Sequence, residues 1–325
     1  MAELNTSTLL LSAIAGGIVG ILSGLFGIGG GFLLVPLLNT LLGIPLPVAV
    51  GSATCYALGP ATTALLTRRP TPGLVELPLI LAGGLFAGVF AGTTALTNLE
   101  SLQDVKLSGR AVPAVDLVVL SCYSLLMSGI AFFSLCSTTR SQQASHRSSS
   151  GVFAGWCTRP KVTIPDLTPS HYSIPLLATL GFGVGCFSGF LGMSGGLILI
   201  PATVYLLGLK VRDATTVTVA IVWIVSCQAC VLHALHHRVN LWLTIALLVA
   251  GPVGARLGAE LGMRLQGRQL RIGFGLMVLC ASLLVWFRLW NLVFFSQELQ
   301  TARELCPWET FVNMSMLRNI GRFEI

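Results

Sequence analysis

Long apolar runs and short polar turns alternate along this chain from its first residues to beyond residue 290. The runs cover roughly 9–26, 48–66, 74–96 and 114–136, and then 174–207 with its half-helix, 214–235, 241–263 and 272–295. A helix needs about 20 apolar residues to cross the hydrocarbon of a bilayer, so the pattern predicts about eight spans in two sets of four. Two further apolar stretches are too short to span. They lie at 32–42 and at the end of 174–207, each just after a cluster of glycines, and read as half-helices.

The clusters are copies of one another. Ser23-Gly24-Leu25-Phe26-Gly27-Ile28-Gly29-Gly30-Gly31-Phe32-Leu33-Leu34-Val35-Pro36 aligns without a gap with Ser188-Gly189-Phe190-Leu191-Gly192-Met193-Ser194-Gly195-Gly196-Leu197-Ile198-Leu199-Ile200-Pro201. The same separation sets Gly16 and Gly20 against Gly181 and Gly185, and Gly43 against Gly208. The chain is therefore an internal repeat in which a membrane helix breaks at glycine and resumes. Unwound backbone at membrane depth must be buried in protein or line a watery cavity, because lipid offers its N–H and C=O groups no partner. Glycine supplies the turn's backbone angles and lets a ligand approach the main chain. The resumed helices carry unpaired N–H groups at their starts, at Gly30, Gly31 and Phe32 and at Gly195, Gly196 and Leu197, which suit an anion. A competing reading makes the glycines packing faces alone.

Further stripes repeat. Gly84, Gly88 and Gly92 share one helical face and answer to Gly254, Gly258 and Gly262, so both faces are expected to pack closely on another helix. The organisation predicted is a first transmembrane repeat over 1–136, a polar linker rich in Ser, Thr and Arg over 137–173, a second repeat over 174–295 and a tail over 296–325. The fold class is an all-α polytopic membrane protein of two homologous halves.

Charge then decides how the halves are related. If each broken helix crosses once, the arginines and lysines of the loops fall evenly on the two sides. If each half-helix returns the chain, only Lys106, Arg110 and Arg238 lie opposite Arg68, Arg69, Arg140, Arg147, Arg159, Lys161, Lys210, Arg212, Arg264, Arg268 and Arg271. That is a positive-inside pattern. It predicts inverted repeats with the linker in the cytoplasm, a common transporter design. Composition agrees with a membrane setting: of 325 residues, 54% are hydrophobic and 10% charged, where a soluble chain carries roughly a quarter charged. The formal charge of +7 belongs to these loops, and a nucleic-acid partner is not expected. The expected partners are the lipid bilayer and a small anion, with protons or other ions as possible coupling partners.

The motif GxxxGxxGxGGGxxxxP from Gly20 to Pro36, with its second copy from Gly185 to Pro201, resembles the two halves of the TauE/SafE family of membrane anion transporters, often called sulfite exporters. The resemblance implies export of a small anion such as sulfite, a sulfonate or a related sulfur-containing organic anion, at the cell membrane. The second copy departs from it at Ser194, which stands where the first has Gly29.

The candidate substrate-binding residues are Gly27, Gly29, Gly30 and Gly31 with Gly192, Ser194, Gly195 and Gly196, joined by the hydroxyls of Ser23, Ser188, Ser52 and Thr54. Arg256 is added because a charge inside a span is a functional candidate, with Glu260 one turn on. Its alternative role is an ion pair that snorkels to the membrane surface. Cys227-Gln228-Ala229-Cys230 has the spacing of a redox pair but lies mid-helix with no neighbouring charge, so buried packing competes with a thiol-disulfide relay. His233, His236 and His237 close the same span and read as a surface cluster or a metal site. No nucleotide-binding loop follows either glycine cluster, since the Lys-Ser/Thr pair is missing. Neither cofactor nor catalysis is expected. The leading reading is a secondary anion transporter working by alternating access. A membrane thiol-disulfide relay and a non-transporting membrane scaffold are the alternatives.

Overall fold

The computed structural model describes residues 6–68, 72–102, 105–107, 110–140, 161–163, 171–209, 211–265 and 267–293. The central part of the linker and the tail from residue 296 lie outside the described residues. The first half holds α1 (Thr6–Phe26), α2 (Gly31–Leu42), α3 (Leu46–Arg68), α4 (Pro72–Glu100) and α5 (Ala114–Arg140). The second holds α6 (Ile174–Leu191), α7 (Gly196–Pro201) continued by a π-helical turn over Ala202–Leu206, then α8 (Val211–Leu235), α9 (Leu241–Arg264) and α10 (Gly267–Val293). The element order repeats, as the glycine copies predict.

Two short hairpins were not expected. β1 (Val105–Leu107) pairs with β2 (Arg110–Val112) in the polar insert before α5, and β3 (Lys161–Thr163) pairs with β4 (His171–Ser173) ahead of α6. Valine, threonine and tyrosine in these segments favour extended backbone. The first half also runs helical to Arg140, past the boundary drawn at 136.

Seven of the described helices are long and apolar enough to cross a membrane, where eight spans were predicted. The difference is α3, which is long enough at 23 residues but rich in Gly, Ser, Thr and Pro. Its stretch from Gly51 to Ala57 is buried throughout. A helix surrounded by protein has no need of the lipid-facing residues that make a span conspicuous. The outer helices show the reverse, with Ile14, Ile18, Phe86, Phe90, Val249, Val253 and Phe287 all exposed.

The glycine stripes pack as predicted, but each on a helix of the other half. On α1, Gly16, Gly20 and Gly24 sit over the backbone of Leu247, Gly251 and Ala255 of α9, and Gly254, Gly258 and Gly262 of α9 sit over Gly17, Ile21 and Leu25. On α4, Gly84, Gly88 and Gly92 sit over Ala178, Phe182 and Cys186 of α6 in the same manner. A Cβ at any of these glycines would strike main chain, so only the bare backbone permits such close helix contact. Rising numbers meet rising numbers, and the two helices of each pair therefore run in the same direction.

The central helices continue this scheme. Along α3, Gly51 meets Arg238, the Ser52 hydroxyl accepts from the Asn240 N–H at 3.2 Å, and Gly59 meets Leu248 and Pro252, so α3 runs with α9. Gln228 of α8 donates to the Phe86 carbonyl of α4 at 2.8 Å, and Arg238 just beyond α8 reaches Glu100, so α8 runs with α4. Between α3 and α8 the order reverses: Cys55 faces Cys230, and the Trp223 indole donates to Thr62 at 3.0 Å. With α1 and α3 both running alongside α9, α2 between them must carry the chain back. Two buried tyrosines tie the frame. The Tyr56 hydroxyl donates to the Gly16 carbonyl at 2.6 Å and the Tyr123 hydroxyl to the Leu191 carbonyl at 2.7 Å.

Candidate functional site

Both breaks are built by the same backbone device. α1 ends when the Gly27 N–H donates to the Ser23 carbonyl at 2.7 Å, and α6 ends when the Gly192 N–H donates to the Ser188 carbonyl at 2.8 Å. Left-handed φ angles of 74° at Gly27, 88° at Gly29 and 77° at Gly30 turn the first chain, answered by 70° at Gly192, 57° at Ser194 and 71° at Gly195. The carbonyls of Gly30 and Gly195 then accept the first helical bonds, from Leu33 and Leu34 and from Ile198 and Leu199. The N–H groups of Gly31 and Phe32 stand in the first turn of α2, beyond the reach of any intrahelical carbonyl.

The two breaks meet. A Cβ on Gly31 would stand 2.6 Å from the Gly192 carbonyl oxygen and 3.2 Å from the Ser194 hydroxyl. One on Gly29 would stand 3.4 Å from the Ser194 Cβ, and Gly196 lies against the Ile28 carbonyl. Residues distant in sequence are thus brought into one buried patch, from Gly27 to Gly31 and from Gly192 to Gly196. No charged residue lies in either copy of the motif. Whatever field the patch exerts comes from backbone dipoles and hydroxyls.

The predicted hydroxyls divide. Ser188 and Ser194 are fully buried, and among the described residues their hydroxyls have no hydrogen-bond partner. Ser23 is also buried, 3.3 Å from where a Gly30 Cβ would be. Ser52 and Thr54 serve the frame, Ser52 accepting from Asn240 and Thr54 donating to the Gly51 carbonyl at 2.7 Å. Ser194 is unusual twice over, since it holds a left-handed φ without being glycine. Such strain persists only where the surroundings impose it, and it gathers at functional positions.

Arg256 is not brought to the breaks. Its side chain is 72% exposed and pairs at 3.3 Å with Glu260, itself 46% exposed, on the outer face of α9. Cys227 and Cys230 are free thiols, and Cys230 also meets a third thiol, Cys55, across the contact of α3 and α8. The three histidines separate: His236 and His237 are exposed, whereas His233 is fully buried. Among the described residues no cluster of His, Cys, Asp and Glu could hold a metal ion.

Three further residues, none of them among the candidate substrate-binding residues, stand together. Thr218, Ser226 and His233 lie on one face of α8, are buried, and have polar atoms without a partner among the described residues. Val222 of that face touches Gly29. Their signal was available, as polar residues recurring at helical spacing in an apolar span. Arg238, one of the loop cations, is only 3% exposed and donates to Glu100 at 2.9 Å and to Thr97 at 2.8 Å.

A family profile described as Sulfite exporter TauE/SafE matches residues 13–285, both breaks included. The chain belongs to the TauE/SafE family. It is 24% identical over 294 residues to a protein named "Probable membrane transporter protein" from Xylella fastidiosa strain Temecula1, covering 88% of this chain and 98% of that one. A protein of the same name from Xylella fastidiosa strain 9a5c is 23% identical over 298 residues, with the same coverage of both chains. No solved structure matches the chain. Membership of TauE/SafE and seven apolar helices make this a multi-pass membrane transporter protein, in keeping with a place in the cell membrane.

Proposed function

We propose that this TauE/SafE chain is a secondary transporter that moves a small anion, such as sulfite, a sulfonate or a related organic anion, by alternating access. The observation that carries the reading is the meeting of the two breaks beside the unpartnered hydroxyl of Ser194, with a second unpartnered hydroxyl, that of Ser188, one turn before the second break. Each orphaned buried donor costs roughly 1–3 kcal/mol, and a bound anion would repay it. The backbone N–H groups of Gly29, Gly30 and Gly31 and of Ser194, Gly195 and Gly196 supply the remaining donors. Gly27 and Gly192 shape the turns, and Ser23 adds a third hydroxyl.

The opposed directions of α3 and α8, which are repeat equivalents, support inverted halves spanning 1–136 and 174–295. So does the return of the chain by α2, which is the parity that the arginine pattern requires. In this orientation Glu100 and Arg238 lie toward the outside and the linker toward the cytoplasm. The outward direction of transport and the sulfur chemistry of the substrate rest on the family's description.

The test is counterflow of labelled sulfite, sulfate, thiosulfate and small sulfonates in proteoliposomes of the purified protein. Exchange of at least one, absent from empty vesicles, is expected. Failure with all of them would remove the transport reading. Replacing both Cys227 and Cys230 by Ser should leave exchange intact, whereas a thiol relay would lose its function.

A further inference from the structure

His233 has no role in the anion site as built, yet its burial and its environment are those of a working group. The imidazole is fully buried, and neither ring nitrogen has a hydrogen-bond partner at ordinary distance among the described residues. The backbone that approaches it is Gly189, the residue after Ser188 in the second copy of the motif. The imidazole therefore stands beside the helix end that carries an unpartnered hydroxyl of the proposed anion site. Its own backbone carbonyl accepts from the Arg238 N–H at 3.0 Å, which holds this end of α8 in a fixed turn.

Charge accounts for the rest. The motif copies are uncharged, and Arg238, the nearest cation, is ion-paired with Glu100 while its Nη1 has no partner among the described residues. His236 follows one turn on and is exposed. From the packed helices, α3 contributes Cys55 and Tyr56, α6 contributes Cys186, and α4 contributes Glu100. None of these adds net positive charge to the interior. An anion entering the breaks would then be a buried charge whose nearest cation is already shared with Glu100, an arrangement that burial penalises. Of the side chains gathered here, histidine is the one that a proton from water converts from neutral to cationic.

Resting on the transport reading, we propose that His233 is the proton-binding residue that couples anion movement to a proton. A proton leaves water on one side and takes a lone pair of the imidazole, giving imidazolium. The imidazolium neutralises the bound anion, and both anion and proton pass to water on the other side, leaving neutral His233. For a monovalent anion the step moves no net charge.

The test uses the full chain in proteoliposomes with methanesulfonate and thiosulfate, which stay ionised across the working pH, and with potential clamped at zero. One coupled proton should give about a tenfold accumulation of methanesulfonate for each pH unit imposed, since both ratios are governed by the same free energy. His233→Gln should keep anion exchange at a reduced rate while losing that accumulation and the matching internal pH change. His233→Asn serves as the second variant if the first does not insert. Accumulation that survives in either variant, or a parent protein that exchanges anion but ignores the pH gradient, overturns the assignment alone. A parent protein that exchanges none of the anions of the counterflow assay overturns the transport reading and this assignment with it.

Discussion

Ser194→Gly separates strain from function at the centre of the proposed site. Ser194 holds φ at 57° and is fully buried with an orphaned hydroxyl, while its repeat equivalent is Gly29. Glycine removes a left-handed penalty of about 1–2 kcal/mol and an orphaned buried hydroxyl of about 1–3 kcal/mol, and returns about 0.4–1 kcal/mol through the freer unfolded chain. The variant should therefore be more stable than the parent by roughly 1–5 kcal/mol. If the hydroxyl donates to the anion, its loss weakens binding by about 1.5–3 kcal/mol, or about 10- to 150-fold in affinity. Ser194→Ala keeps the strain and loses the hydroxyl, so the two variants should bind equally poorly while only the glycine variant gains the full stability. The assay is thermal unfolding of detergent-purified protein beside calorimetry with the anion that counterflow identifies. A glycine variant that melts higher and binds as the parent does would take Ser194 out of the site. One that melts lower would refute the strain argument.

Gly30→Val and Gly195→Val place a branched side chain at left-handed positions, with a Cβ 3.0 Å from Val19 and 2.6 Å from Val184. Both should lose transport and anion affinity; variants that melt early yet bind normally would make the glycines packing residues. Arg256→Gln should transport within about twofold of the parent, as a substitution on an exposed face does. Abolished transport in a folded, inserted protein would return Arg256 to the site. A cysteine placed at Ser148 in a cysteine-free background should react with an impermeant thiol reagent only from the cytoplasmic side, and labelling in intact cells from outside would reverse the orientation.

The repeat and the breaks were legible because they depend on residue identity. A turn with several left-handed angles needs glycine at nearly every step, and the second copy leaves the same mark. Which helix each glycine stripe would touch was not legible, since a bare backbone names no partner and the contacts of α1 with α9 and of α4 with α6 join distant parts of the chain. The outward placement of Arg256 could have been read. Gly254, Gly258 and Gly262 mark the packed face of α9, and Arg256 and Glu260 fall on the opposite side at 3.6 residues per turn. His233 is hidden in the sequence by its neighbours: His236 and His237 do lie at the surface, but α8 buries the residue one turn earlier.

The exchanged packing also constrains what can move. α1, α3 and α9 run together, as do α4, α6 and α8, and each group draws helices from both halves of the sequence. Separating the two sequence halves would pull apart α1 from α9 and α4 from α6, where glycine lets backbones touch and no side chain could slide through. Motion confined to the seam between the groups costs far less, because α3 and α8 meet there through ordinary side chains such as Thr62 and Trp223. The first break ends α1 in one group and the second ends α6 in the other, and the two touch across that seam. An anion held by both breaks would therefore be gripped from both groups at once. That is the placement alternating access requires of a substrate that sets the position of the two bodies.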